Sequence, residues 1–270
     1  MFIVWGTKKV ETNLGYVADF CPICRDIHAF RITRIGKAGH VYGLQLGASE
    51  LVGHNRQCMT CRTLFGADPN DYGTPEKRRG KMSMEELIAS TFPNIRTRYA
   101  RRLEIEACAA TSPEKLGAEI RRDLILEPFQ LLNHAVHRRF STLHVDFTMV
   151  AAMLLGFLIV PLFISNYLSY KFHLIDKNEG SLILASIIAA FIATFPLGRR
   201  AGKIFMRKKI YPVIANTLQP LHPTQGEIAA VISQLKASGT MMGKRANVEE
   251  FMHATITSHA VVSELNPVHG

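Results

Sequence analysis

Cys21 and Cys24 form one Cys-x2-Cys pair and Cys58 and Cys61 a second, with residues 25–57 between them. Each pair can close a tight turn that offers two thiolates to one metal ion, and two such turns complete a tetrahedral shell. A shell closed by four thiolates leaves no position for a reacting water, so metal-assisted hydrolysis is not implied. Zn2+ in a structural role is the expected occupant. Three other uses of these residues compete with it. A thiol-redox protein would use Cys21 and Cys24 as a dithiol, its first thiol activated at a helix N-terminus. No βαβ pattern follows Cys24, however, and a second pair waits downstream. A four-thiolate iron site would take the same ligands, but its turns usually carry glycine after the second cysteine, where Arg25 and Arg62 stand. His28, His40 and His54 could also ligate, although four cysteines already fill the shell. The fifth cysteine, Cys108, sits beside alanines and reads as a small buried residue.

The elements that must hold these thiols are short and β-like. Residues 29–35 (AFRITRI) and 41–46 (VYGLQL) read as strands, with Gly36, Gly39, Gly47 and Gly53 as turn points and 62–65 as a further strand. With its two cysteine knuckles, the stretch from 1 to about 66 resembles the zinc-ribbon superfamily. The long inter-knuckle segment suggests an extended hairpin. The resemblance implies a small β domain, here 1–67, that serves as a protein-binding or nucleic-acid-binding module without choosing between them.

Beyond it, 68–82 is rich in turn formers and charge and reads as a linker, and 83–146 reads as a helical cytoplasmic region. Ser83 with Glu86 gives a capping box. A second helix is expected over 94–107, with Ile95, Tyr99 and Leu103 on one face. A third starts at Ser112–Pro113, buries Leu116, Ile120 and Leu124, and bends or ends at Pro128 before 129–140 continues. Arg96, Arg98, Arg101 and Arg102 scatter around their helix, which favours a solvated basic surface over a nucleic-acid stripe. Near the C-terminus Thr224 and Glu227 form another capping box, with Ile228, Val231, Ile232 and Leu235 at helical spacing before Gly239. Asn247 and Glu250 open a last helix carrying Val248, Phe251, Met252 and Ile256. A helix-turn-helix reading of this pair is weakened by its long joining segment, 239–246.

Two apolar runs set the remaining architecture. Residues 147–168 and 181–197 carry no formal charge and have the length of membrane-spanning helices. Arg138 and Arg139 precede the first, and Arg199, Arg200, Lys203, Arg207, Lys208 and Lys209 follow the second. By the positive-inside bias this predicts a two-pass inner-membrane protein with both termini cytoplasmic and the connecting loop outside. The N-terminal residues lack a signal-peptide apolar region. The eight basic residues are then expected to contact anionic lipid, and Ala185, Ala189 and Ala193 to pack helix against helix or support a homo-oligomer. Residues 198–270 form a basic juxtamembrane segment with C-terminal cytoplasmic helices. The formal charge of +10 agrees with anionic surroundings.

The fold class expected is thus mixed: an N-terminal β zinc ribbon, α-helical cytoplasmic segments and a two-helix transmembrane hairpin. No catalytic constellation is present. The expected function is a non-enzymatic, membrane-anchored zinc protein that scaffolds a protein partner at the bilayer. A membrane-tethered nucleic-acid-binding regulator is the alternative, and a thiol-redox protein using Cys21 and Cys24 the second alternative.

Overall fold

The computed structural model describes residues 5–42, 44–80, 82–141 and 202–254. Four antiparallel strands form one sheet in sequence order: β1 Trp5–Cys21, β2 Asp26–Val41, β3 Leu44–Cys58 and β4 Leu64–Gly66. The ribbon is far longer than its knuckles require. β1, which the sequence pattern did not reveal, pairs with β2 from Trp5↔Val41 down to Cys21↔Asp26. The expected strand 41–46 instead straddles the distal β2–β3 turn, where Tyr42 takes a left-handed φ of 51°. Gly36 and Gly39 lie at register shifts within β2 instead of ending it.

A bulge between Asn13 and Gly15 divides the arm. Gly15 adopts φ 140°, and a side chain there would meet the Glu76 carbonyl oxygen at 2.7 Å. The approach is close because Tyr16 and Glu76 exchange backbone hydrogen bonds of 2.8 and 2.9 Å, which covers the β1 edge. Ala18 N–H then donates to Thr91 Oγ1 at 3.0 Å. Below the bulge, Val17 to Cys21 are all buried; above it, β1 is largely exposed.

The burial has a clear source. Ser83 and Glu86 complete the expected capping box at the start of α1 (Met84–Thr91). Leu87, Ile88, Phe92 and Ile95 then pack on the sheet face made by Ala18, Ile27 and Ala29. The helix expected over 94–107 is broken at Tyr99 into α2 (Ile95–Arg98) and α3 (Ala100–Thr111). Pro113 opens only a short 3-10 turn, and α4 (Ala118–Ser141) begins later and does not end at Pro128, which lies inside it. Of the three residues expected to be buried there, Leu124 is, whereas Ile120 is exposed.

The chain divides into two compact units, Met1–Leu124 with Thr217–His222, and Ile125–Asn216 with Pro223–Gly270. After the described chain resumes, a π-helical turn, Met206–Ile210, leads into α5 (Tyr211–Leu218), whose residues up to Asn216 belong to the second unit. Tyr211 N–H bonds to Met206 O, five residues back, and Pro212, next in the chain, has no N–H to offer the Lys208 carbonyl. α6 (Gln225–Ala237) has the expected cap and buries Ile228, Val231, Ile232 and Leu235. After Gly239 (φ 69°) comes the short α7 (Met241–Arg245), and residues 248–254 are again helical. Gly243 crosses α6 so closely that a Cβ would lie 2.3 Å from the Leu235 carbonyl carbon.

The transmembrane hairpin is corrected. Among the described residues no helix is long and apolar enough to cross a membrane. The longest, α4, carries charged residues from Glu119 to Arg139, which a bilayer core would not accept. The runs 147–168 and 181–197, with Ala185, Ala189, Ala193, Arg199 and Arg200, lie outside the described residues. The mixed fold therefore stands as an antiparallel sheet with helices, without the hairpin, and the two-pass inner-membrane placement is withdrawn with it.

Candidate metal centre

The ribbon geometry makes the two knuckles equivalent. Each is the turn between antiparallel strands, β1–β2 for Cys21 and Cys24, β3–β4 for Cys58 and Cys61. In each, the residue after the second cysteine donates its backbone N–H to the carbonyl of the first: Arg25 to Cys21 at 2.7 Å and Arg62 to Cys58 at 3.0 Å. That closure forces both arginines into the left-handed region, with φ of 61° and 63°. Glycine would fit there without strain; an L-residue costs about 1–2 kcal/mol. The Cys24 N–H also points at Cys21 Sγ, 3.4 Å away.

The four sulfurs lie within 4.8 Å of one another. Cys21 and Cys61 are 3.7 Å apart and Cys24 and Cys58 are 3.9 Å apart. A tetrahedral ion bonded to sulfur at about 2.3 Å spaces its ligands by about 3.8 Å. The residues therefore fit a single metal ion held by all four thiols. A disulfide, at about 2.05 Å, is not what this spacing describes, and all five cysteines are free. The 3.7 and 3.9 Å contacts run between knuckles, and β2 begins at Asp26 with no helix at Cys24, so the helix N-terminus of a redox dithiol is missing. Hydrogen bonds from Cys21 and Cys24 hold the Cys61 thiol down at about 6, and Cys58 is lowered by the same two donors, while contacts with Cys24, Cys58 and Cys61 push Cys21 up.

Behind the thiols lies a charge pair that sequence reading missed. Asp19 and Arg56 each stand two residues before the first cysteine of a knuckle, so alternation puts them on the sheet face of Cys21 and Cys58. Asp19 is fully buried, contacts the Arg56 guanidinium and accepts from the Tyr72 hydroxyl. Its other oxygen accepts from Phe20 N–H at 2.7 Å. Arg56 lies over the Phe30 and Phe65 rings, at 5.4 and 5.7 Å. The paired i−2 positions were the available signal, since a carboxylate and an arginine one pleat behind each ligand pair can meet across the middle strand.

The first knuckle is enclosed by helices and the second faces solvent. Arg25 forms an ion pair with Glu106 of α3 at 2.8 Å, the side chains only 8% and 5% exposed. Arg25 also donates to the Leu124 carbonyl at 3.1 Å, and Thr217 Oγ1 donates to the Ile23 carbonyl at 2.9 Å. Arg62, in the same conformation, is exposed. His28 meets Thr60 at 3.3 Å and takes no part in the sulfur cluster.

The arginine-rich segment lies at the surface, with three of its arginines paired to carboxylates. Arg96 pairs with Glu85, Arg98 with Asp71 at 2.9 Å, and Arg102 with Glu106 at 2.7 Å. Cys108 is half-buried beside Ser112. Of the basic residues expected at lipid, Arg207, Lys208 and Lys209 are exposed on the π-helical turn. Lys203 pairs with Glu250 at 3.4 Å, and Arg139 lies over Phe205 at 5.9 Å. Arg245, which sequence reading did not select, joins them over Phe140 at 4.6 Å. Arg138 is exposed at the end of α4.

No protein-family model matches the chain, and no curated protein and no solved structure matches it.

Proposed function

We propose that the chain is a non-enzymatic, zinc-stabilised interaction module that grips a protein partner with the distal end of its ribbon. The exposed apolar end of that arm carries the reading. Trp5, Val41 and Leu44 are cross-strand partners in one row, so they share a sheet face. Trp5 is 80% and Leu44 75% exposed, with Tyr42 open beside them. Apolar side chains placed this way at a hairpin end contribute nothing to the core and match the anchor residues of protein interfaces. Zinc suits the metal centre because four thiolates in a tetrahedron are its preferred structural shell. The metal would fix the root of the arm, and the partner would take the tip.

The test compares the wild-type chain with a Trp5→Ser/Leu44→Ser variant in affinity capture, with zinc stoichiometry as the folding control. A partner retained by wild type and lost by the zinc-loaded tip variant supports the reading. Equal capture by both overturns it. Cobalt(II) titration of the thiols checks the metal: four-thiolate absorption bands are expected, and their absence would remove the zinc assignment.

A nucleic-acid reading draws its support from a different place than the sequence suggested. Arg96, Arg98 and Arg102 hold carboxylates, but Arg139 lies over Phe205 and Arg245 over Phe140, two rings that meet each other, and Arg207, Lys208 and Lys209 are exposed on the turn that follows Phe205. A basic surface buttressed by aromatic rings suits a phosphate backbone. Salt-dependent binding of a single-stranded oligonucleotide, lost on replacing Arg207, Lys208 and Lys209 with serine, is the observation this reading requires.

A further inference from the structure

Pro128 lies inside α4 and has no N–H to offer the carbonyl four residues earlier. That carbonyl belongs to Leu124, and it is the one to which Arg25 donates. One guanidinium therefore closes three accounts at once: the knuckle that bears it, the Glu106 carboxylate of α3, and the orphaned acceptor of α4. Nε of Arg25 is buried with no hydrogen-bond partner, so the side chain is held by these two contacts and by the backbone that aims it. The backbone aim depends on the left-handed φ of Arg25, a conformation an arginine does not keep without the closed knuckle.

The geometry points to Arg25 as a latch through which metal occupancy controls the docking of α3 and the start of α4 on the ribbon. With Cys21 and Cys24 bonded to the metal, the knuckle is closed and Arg25 reaches Glu106 and Leu124. When the metal leaves, the turn relaxes toward a right-handed conformation, the guanidinium swings away, and the two helices lose their tie. Arg62 is the built-in control, because it has the same place and the same φ in the second knuckle but is exposed. The latch rests on the metal reading above.

Hydrogen exchange on the full chain, zinc-loaded and after chelation, tests it in wild type, Arg25→Gly and Arg62→Gly. In wild type and Arg62→Gly, amides of Ala100–Thr111 and 118–124 should exchange faster without zinc, on the order of 10- to 100-fold, since exchange follows the opening equilibrium of a docked element. In Arg25→Gly, rates there should be high and indifferent to zinc, while cobalt(II) still gives four-thiolate bands. Wild-type helices indifferent to zinc, or an Arg25→Gly chain that keeps the dependence, would overturn the latch. Loss of cobalt bands in wild type would instead strike the metal reading itself. If Arg25→Gly does not fold, Pro128→Ala decides: its new N–H competes for Leu124 O and should shrink the zinc dependence, and an unchanged dependence would count against the latch.

Discussion

Replacing Asp19 with alanine should be among the most damaging single changes outside the metal ligands. The carboxylate is 1% exposed and Arg56, its partner, 20%. Three groups lose their acceptor together: the Arg56 guanidinium, the Tyr72 hydroxyl and the Phe20 N–H. Arg56 Nε is already buried without a partner, and its distal nitrogen would keep only the Tyr72 oxygen at 3.0 Å. Removing one member of a buried pair costs about 3–5 kcal/mol, because the charge left behind stays desolvated. At roughly 2–4 °C per kcal/mol for a domain of this size, the zinc-loaded protein should melt about 6–20 °C lower. Thermal denaturation followed by circular dichroism in excess zinc reads this directly. The reasoning makes a second demand. If the loss comes from the orphaned guanidinium, Asp19→Ala/Arg56→Met should recover at least about 1 kcal/mol relative to the sum of the single changes. A single variant that loses less than about 1 kcal/mol, or a strictly additive pair, would refute it.

Other expectations follow from local geometry. Gly15→Ala should destabilise the ribbon by about 1–3 kcal/mol in urea unfolding, because its Cβ would strike the Glu76 carbonyl oxygen at 2.7 Å. Gly243→Ala should loosen α7 from α6 by a similar about 1–3 kcal/mol, visible as faster amide exchange at 241–245, since its Cβ would sit 2.3 Å from the Leu235 backbone. Burial pushes the Tyr72 phenol up to about 12 from 10.0. A raised folded value means the native state holds the proton longer, so this contribution is full below pH 10 and is lost as pH rises toward 12. Urea midpoints across that window should fall, less steeply in Tyr72→Phe.

What could be read in the sequence was set by short-range chemistry. The Ser83–Glu86 and Thr224–Glu227 boxes and the buried row from Ile228 to Leu235 depend on contacts within four residues, and each stands as expected. So does the meeting of the four thiols, because each knuckle is nearly complete in five residues. β1 was invisible because its outer half, WGTKKVETN, is exposed and offers no apolar alternation. Its glycines and those of β2 look like turns, whereas bulges let a long strand carry them. Pro128 reads locally as a helix end, but its missing bond is repaired by Arg25 from far along the chain. The apolar runs show the opposite limit, where hydropathy alone supported a span that no described helix supplies.

The bulge at Leu14 and the Tyr16–Glu76 clamp also set where the chain is exposed to self-association. Below the bulge the β1 margin is sealed by Glu76 and Thr91. Above it, among the described residues, no strand pairs with the outer margin of β1, and β3 meets β4 only from Asn55 to Gln57. Open strand margins invite stacking into fibrils, and charged side chains, lysine above all, are the usual deterrent. Lys8 and Lys9 stand on the uncovered stretch of β1, and Lys9 faces Lys37 across the pair. Lysines placed there work against edge-to-edge stacking of an apolar-tipped strand, a duty carried by side chains that neither bind the metal nor fill the core.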